Sequence, residues 1–291
     1  HNPQTWRLLL SQNADIGIIA VGMTLVIIGG GIDLSVGSML ALVGVIGLMR
    51  MGSQPVSVGV LWMVGCGAAL GLIQGVVITW GRVVPFVATL VGLLVYRSLA
   101  LAFANGGTLP SQNPSWADLT SQGVPLPFVL MPNGKPMIIY WSIFLFIGVA
   151  LVLGFVLNMT PYGRRLVAVG SNEKAAKYSA VNVGAIRRWS YVILGVCVGL
   201  AAWVNSSKLN SVPSSNAGQL AELEAIAAVV IGGTALSGGR GRIWGTVVGV
   251  MILGMISTML VAEGVSAYWQ GVVKGGIILV AVLISRGKKV D

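Results

Sequence analysis

Five side chains stand out as able to do chemistry because they interrupt apolar sequence: Asp33, Arg97, Glu222, Glu224 and Lys274. A charge at membrane depth is expensive, and by default it marks a solute path, a proton relay or a buried pair. The same residues admit a structural reading. Arg97, Glu222 and Glu224 lie near the ends of apolar runs, where long side chains reach the polar interface. Lys274 could pair with a carbonyl or an acid on a neighbouring helix. Catalytic groupings are missing from the sequence. There is no G-x-x-x-x-G-K-[ST] phosphate loop, and the C-terminal RGKKV does not match one. There is no G-x-S-x-G nucleophile turn. The single histidine is His1, and no His/Cys/Asp cluster offers a metal site. The chain is therefore expected to be no enzyme and to hold no cofactor or metal of its own. Cys66 and Cys197 lie in apolar runs and read as free buried thiols.

The other chemically distinct stretch is 161–189, PYGRRLVAVGSNEKAAKYSAVNVGAIRRW. It holds Arg164, Arg165, Lys174, Lys177, Arg187 and Arg188, six of the chain's 18 basic residues, against one acid, Glu173. Within it, residues 172–180 have helix-forming composition, with Ser171 as N-cap and Glu173 in the first turn. Glu173 and Lys177 are four apart, a pairing that contributes only about 0.3 kcal/mol. Ala175, Ala176, Ser179 and Ala180 leave the surface of this short helix nearly bare. A bare short helix can sit deep in a groove on another protein.

The elements that position these residues are set by an extreme composition. The chain is 55% apolar and 9% charged, with a mean hydropathy of +0.88, whereas soluble domains carry about 25% charged residues. No water-soluble core absorbs this much apolar sequence, so the expected class is an all-α, polytopic transmembrane bundle forming one domain over 1–291. Nine spans are expected, near 14–31, 36–49, 58–80, 86–104, 137–158, 189–205, 220–236, 244–261 and 268–284. Gly67, Gly71 and Gly75 form one smooth helix face, and Gly195 and Gly199 begin another. The stretch GGGIDLSVGS around Asp33 reads as a break between spans, with Ser35 capping the next helix. Residues 105–136 hold six prolines and read as a loop outside the membrane. A faint internal echo links 26–46 with 229–252, each placing a Gly-rich break after a span.

Lys and Arg are retained on the cytoplasmic side of membranes. With 161–189 inside, alternation also puts Arg82, Arg240, Arg242, Arg286, Lys288 and Lys289 inside, twelve basic residues in all, against Arg7, Arg50, Lys135 and Lys208 outside. The net charge of +10 thus reflects orientation in the lipid bilayer and implies no nucleic-acid partner. This orientation puts His1 outside, and a tenth span is expected before residue 1.

Four stretches, GMTLVIIGGGIDLSVGS, PFVATL at 85–90, GSNEKAAKYSAVNV and ELEAIAAVVIGGTALSGGRG, resemble the membrane permeases of bacterial ABC sugar importers of the ribose, xylose, arabinose, galactoside and autoinducer-2 type. The resemblance covers nearly the whole chain, with the motifs in the right order. It implies a permease subunit in the bacterial inner membrane, paired with a second copy or a paralogue. A separate ATPase subunit would carry ATP and Mg, and an extracytoplasmic binding protein would deliver a monosaccharide. It further implies that the segment matching Gly170 to Gly184 is the coupling element, so Gly170, Ser171, Asn172, Glu173, Ala175, Ala176 and Ser179 are the expected ATPase-coupling residues. A neutral sugar needs hydroxyl and amide partners, and the candidates for its path are Asp33, Gln74, Asn205, Ser206, Asn216 and Gln219. The rival reading is a self-sufficient secondary transporter or channel for a small polar solute. It would need coupling-ion residues in mid-membrane, and the few acids lie mainly near helix ends.

Overall fold

A computed structural model describes residues 3–130, 136–266, 269–273, 275–277 and 279. Its centre is α2 (Ala14–Ile28), which follows α1 (Pro3–Gln12) after a 57° bend. Every residue of α2 except Ile16 is buried. At the bend, the Asn13 side chain turns back and donates to the Leu9 carbonyl at 2.8 Å.

Around this core stand α3 (Val36–Met51), α4 (Val56–Thr79) and α5 (Pro85–Phe103). The expected outer loop then forms β1 (Thr108–Pro110), a 3-10 turn at Pro114–Ala117, the single turn α6 (Asp118–Ser121), β2 (Gly123–Leu130) and β3 (Pro136–Tyr140). Next come α7 (Trp141–Met159), α8 (Pro161–Ser171), α9 (Glu173–Tyr178), α10 (Val183–Leu209), β4 (Ser211–Pro213), α11 (Ala221–Ile231) and α12 (Ile243–Ala262). The strands form two small antiparallel pairs, β1 with β4 and β2 with β3. All four lie at the end of the bundle opposite α8 and α9, and the rest is helical.

The two glycine faces meet each other. α4 and α10 run antiparallel, with Gly67 against the Gly195 carbonyl, Gly71 against the Tyr191 carbonyl and Gly199 against Met63 and Val64. A Cβ at any of these positions would collide with backbone. Two backbones this close gain dispersion energy along their length, which drives helix association where lipid is as apolar as the side chains.

The structure bears out a polytopic helical bundle and redraws its spans. Five helices are long and apolar enough to cross a membrane, α4, α5, α7, α10 and α12, or six if the bent pair α1 and α2 counts as one. α11 has 11 residues, about 16 Å at 1.5 Å per residue, roughly half of a 30 Å hydrocarbon core. α3, with 16 residues, is also short. The expected span 268–284 is described only in part, and Lys274 lies outside the described residues.

Both short helices adjoin a glycine-rich break, and the two breaks begin alike. In each, a glycine at positive φ, Gly30 (77°) or Gly233 (84°), ends the helix. Gly30 N–H bonds the Ile27 carbonyl and Gly31 N–H that of Val26. Gly233 N–H bonds the Val230 carbonyl and Thr234 N–H that of Val229. This is the Schellman ending, which needs a residue free to take the left-handed conformation. The echo between the two segments therefore extends to backbone geometry at these turns. Beyond the first break, Gly37 at the start of α3 packs on the Gly218 carbonyl beside the start of α11. The first turns of two interrupted elements thus meet inside the bundle.

The stretch 161–189 is largely helical. α8 is amphipathic, with Gly163, Leu166 and Val169 buried and Arg164 and Arg165 exposed. Pro161 occupies its first turn, and Thr160 caps it by accepting from Gly163 N–H. α10 begins at Val183, so Arg187 and Arg188 are helical. The short central helix is capped by Asn172, which accepts from Ala175 N–H at 3.0 Å, and not by Ser171. Asn fits because its short side chain reaches the orphan donors of the first turn. Ser171 instead ends α8, its hydroxyl donating to the Val167 carbonyl.

Candidate functional site

The expected coupling residues come together at one end of the bundle. On α9 and its flanks, Ser171, Asn172, Lys174, Ala175, Lys177, Tyr178 and Ser179 are exposed, whereas Ala176 is only 4% exposed. Ala176 therefore anchors the helix and offers no docking surface. Gly170 is likewise turned inward, against the Ile28 carbonyl and Gly239 N–H. Those two groups are hydrogen-bonded to each other at 2.9 Å, so the chain just before α9 rests where the two glycine-rich breaks touch. Glu173 bonds Lys177 and also Arg187, whose Nη2 lies 2.9 Å from Oε2. The Lys177 hydrogen bond, with the Arg187 charge behind it and burial opposing, holds the Glu173 carboxyl below its ordinary value.

The expected path residues separate into three groups. Asp33 and Gln74 share one buried cluster. The Asp33 carboxylate, 1% exposed, accepts from Ser35 N–H at 2.7 Å and Ser35 Oγ at 2.6 Å, and Gln74 Nε2 reaches Ser35 Oγ at 3.4 Å. Ser35 stands at the N-cap of α3 without making a side-chain cap bond. Its hydroxyl is committed to Asp33. α5 crosses this cluster at Gly92, beside Gln74 and Ser35.

Asn205 and Ser206 lie elsewhere, both inside α10, which runs past the expected end of its span at 205. Asn205 donates to Asp15 at 2.7 Å, and Lys208 forms an ion pair with the same carboxylate at 2.6 Å. Ser206 is buried, bonded to the Ala202 carbonyl and to Trp116 Nε1. Both residues are occupied in holding the strand-bearing end together. Asn216 and Gln219 are exposed on the turn before α11. Nearby, Arg97 donates to the Ser214 carbonyl at 2.9 Å, and Glu222 lies against Gly37. Arg97 thus ties α5 to that turn, and Glu222 sets the start of α11 beside the start of α3.

Sequence reading took Ser35 only as a helix cap and Arg187 only as one of the basic residues, and passed over Tyr191. Ser35 carried a signal, because an Asp two residues before a Ser invites a local side-chain bond. Arg187 and Tyr191 are four apart on one helix face, but their partners, Glu173, Gly29 and Ile32, are distant in sequence.

Residues 7–282 match the family described as branched-chain amino acid transport system / permease component. The chain belongs to this permease family. It is 39% identical over 283 residues to the ribose import permease protein RbsC of Escherichia coli K12, covering 97% of this chain and 85% of that one. It is 43% identical to the Bacillus subtilis ribose import permease protein RbsC over 96% of this chain and 84% of the other. The D-allose transport system permease protein AlsC of E. coli K12 is 34% identical, over 94% and 81%. No solved structure matches the chain.

Proposed function

We propose that this chain is the transmembrane subunit of an ABC importer that moves a monosaccharide inward. α9 carries the reading. It is a short capped helix with Lys174, Ala175, Lys177 and Tyr178 exposed, Ala176 buried and Glu173 half-buried against Arg187, seated where both glycine-rich breaks meet. Such a helix suits a groove on another protein, and the partner is a separate ATPase that holds ATP and Mg. Binding and hydrolysis there would rock α9, and the interrupted spans would convert that movement into alternating access. A second permease copy or paralogue completes the membrane unit, and an extracytoplasmic binding protein supplies the solute. The basic bias puts α8, α9 and the C-terminus in the cytoplasm of a bacterial cell with the chain in its inner membrane.

The family description speaks of branched-chain amino acids, but the relatives cited are permeases for ribose and allose. The buried cluster favours the sugar. Asp33, Ser35 and Gln74 offer hydroxyl, amide and carboxylate groups and no basic side chain to receive an amino acid's carboxylate.

The test is a detergent pull-down with the candidate ATPase, followed by uptake of radiolabelled ribose, allose, galactose and leucine into proteoliposomes. Intact permease should retain the ATPase. A variant with Lys174→Ala, Lys177→Ala and Ala175→Trp should lose it while staying folded. Failure of the intact protein to retain an ATPase refutes the importer reading and favours a self-sufficient transporter. Uptake of leucine and of no sugar refutes the substrate class.

A further inference from the structure

We propose that Arg187 is a positioning residue that ties the coupling helix to the break between α2 and α3. Through it, movement of α9 reaches Asp33 and Ser35. The inference rests on the proposed docking of α9 to an ATPase.

One guanidinium faces two elements. Arg187 Nη2 lies 2.9 Å from Glu173 Oε2 on α9, and Nε donates to the Gly29 carbonyl at 3.2 Å. Gly29 is the C-cap of α2, where helix carbonyls lack partners and a cation is favoured. The planar fork of Arg holds both bonds at a fixed angle. The single ammonium of Lys cannot span two partners with the same geometry.

One turn later, Tyr191, 1% exposed, donates its hydroxyl to the Ile32 carbonyl at 3.1 Å. Residues 187 and 191 of α10 therefore grip the break at Gly29 and at Ile32. The next residue is Asp33, which is bonded to Ser35, which Gln74 in turn reaches. The break offers little resistance of its own, since it holds three glycines and forms no regular element. A second route runs by packing alone, from Gly170 onto the Ile28 carbonyl and Gly239.

Arg188 supplies the control. It has the same charge one residue on, but its guanidinium lies 5.1 Å from the Trp80 ring centroid and donates to Thr79 Oγ1 at 3.1 Å. It pins α10 to the end of α4 and makes no hydrogen bond or ion pair with α9 or the break among the described residues.

The experiment uses full-length permease reconstituted with its ATPase and sugar-loaded binding protein. Arg187→Gln, Arg187→Lys and Arg188→Gln are compared for ATPase retention, ATP hydrolysis and sugar transported per ATP. Arg187→Gln should retain the ATPase and its hydrolysis within twofold, yet transport at least tenfold less sugar per ATP. Arg187→Lys should fall between, and Arg188→Gln should stay within twofold of the parent. In detergent, without the ATPase, amides 29–35 should exchange hydrogen faster in Arg187→Gln and not in Arg188→Gln. An unchanged ratio in Arg187→Gln, equal losses in the two Gln variants, or unchanged exchange at 29–35 would overturn the inference. So would loss of ATPase retention matching the loss of transport, which makes Arg187 a docking residue. If even the parent retains no ATPase, the proposed function fails and this inference falls with it.

Discussion

Replacing Gly199 by Ala tests whether backbone contact between α4 and α10 holds the bundle together. A Cβ at Gly199 would stand 2.6 Å from the Met63 carbonyl oxygen and 2.6 Å from Val64 Cα. Both are backbone atoms, so no side chain can rotate aside. Restoring ordinary carbon contact at about 3.5 Å requires the helices to part by about 1 Å. Overpacking of this kind costs about 1–3 kcal/mol, against which the better helix propensity of Ala returns up to about 1 kcal/mol. The net expectation is a loss of about 1 kcal/mol. Gly65→Ala is the matched control, because nothing lies within 4 Å of its Cβ and it keeps only the gain. The two variants should therefore differ by about 2 kcal/mol, close to thirtyfold in the open population. Cys197 on α10 is 2% exposed and packs against Gly22 of α2, so a maleimide reaches it only when α10 loosens from the bundle as a whole. In a Cys66→Ser background, Gly199→Ala should label at Cys197 at least tenfold faster than Gly65→Ala and unfold at a lower temperature. Equal labelling and equal melting in the two variants would refute the argument that backbone proximity sets this interface.

Gly92→Ala places a methyl where Gln74 and Ser35 now sit. It should cut sugar uptake severalfold while leaving ATPase retention unchanged, as measured in the reconstituted system. Lys208→Met leaves Asp15 with Asn205 as its remaining side-chain partner, and at 4% exposure that carboxylate should destabilise the protein by about 3 kcal/mol in thermal unfolding. Asp15→Asn in the same background should recover part of the loss. Glu173 has a lowered pKa in the folded chain, so its contribution is present above its ordinary value of 4.5 and is lost as pH falls through the lower folded value. Amides 173–178 should exchange faster below that window and keep their protection at neutral pH. Glu173→Gln should abolish the pH dependence.

Several features were legible in the residues alone because they depend on local or one-dimensional information. Apolar runs, glycines four apart and the Arg/Lys imbalance need no knowledge of partners, so the bundle class and the tight helix faces could be read directly. The short helix near Glu173 was legible for the same reason, with its cap displaced by one residue from Ser171 to Asn172. Span count was not. A stretch apolar enough for lipid is equally apolar inside protein, so α11 and α3 looked like full crossings although each is short and abuts a glycine-rich break. Asn205 and Ser206 show the same limit for polar groups. Their amide and hydroxyl chemistry suited a sugar path, but Asp15 and Trp116 already occupy them, and those partners lie 190 and 90 residues away.

The sequence by itself determined that this protein is a polytopic helical membrane protein, and its four motif stretches carried the resemblance to sugar-importer permeases. Composition and spacing are properties of single segments, and hydrocarbon imposes its demand on each segment separately. Only the tertiary structure decided that α2 is the buried centre, that the glycine faces of α4 and α10 find each other, and that Arg187 joins Glu173 to Gly29. These follow from which surfaces fit when all segments pack together. Shape and hydrogen-bond geometry select those partners among many helices of nearly equal hydropathy.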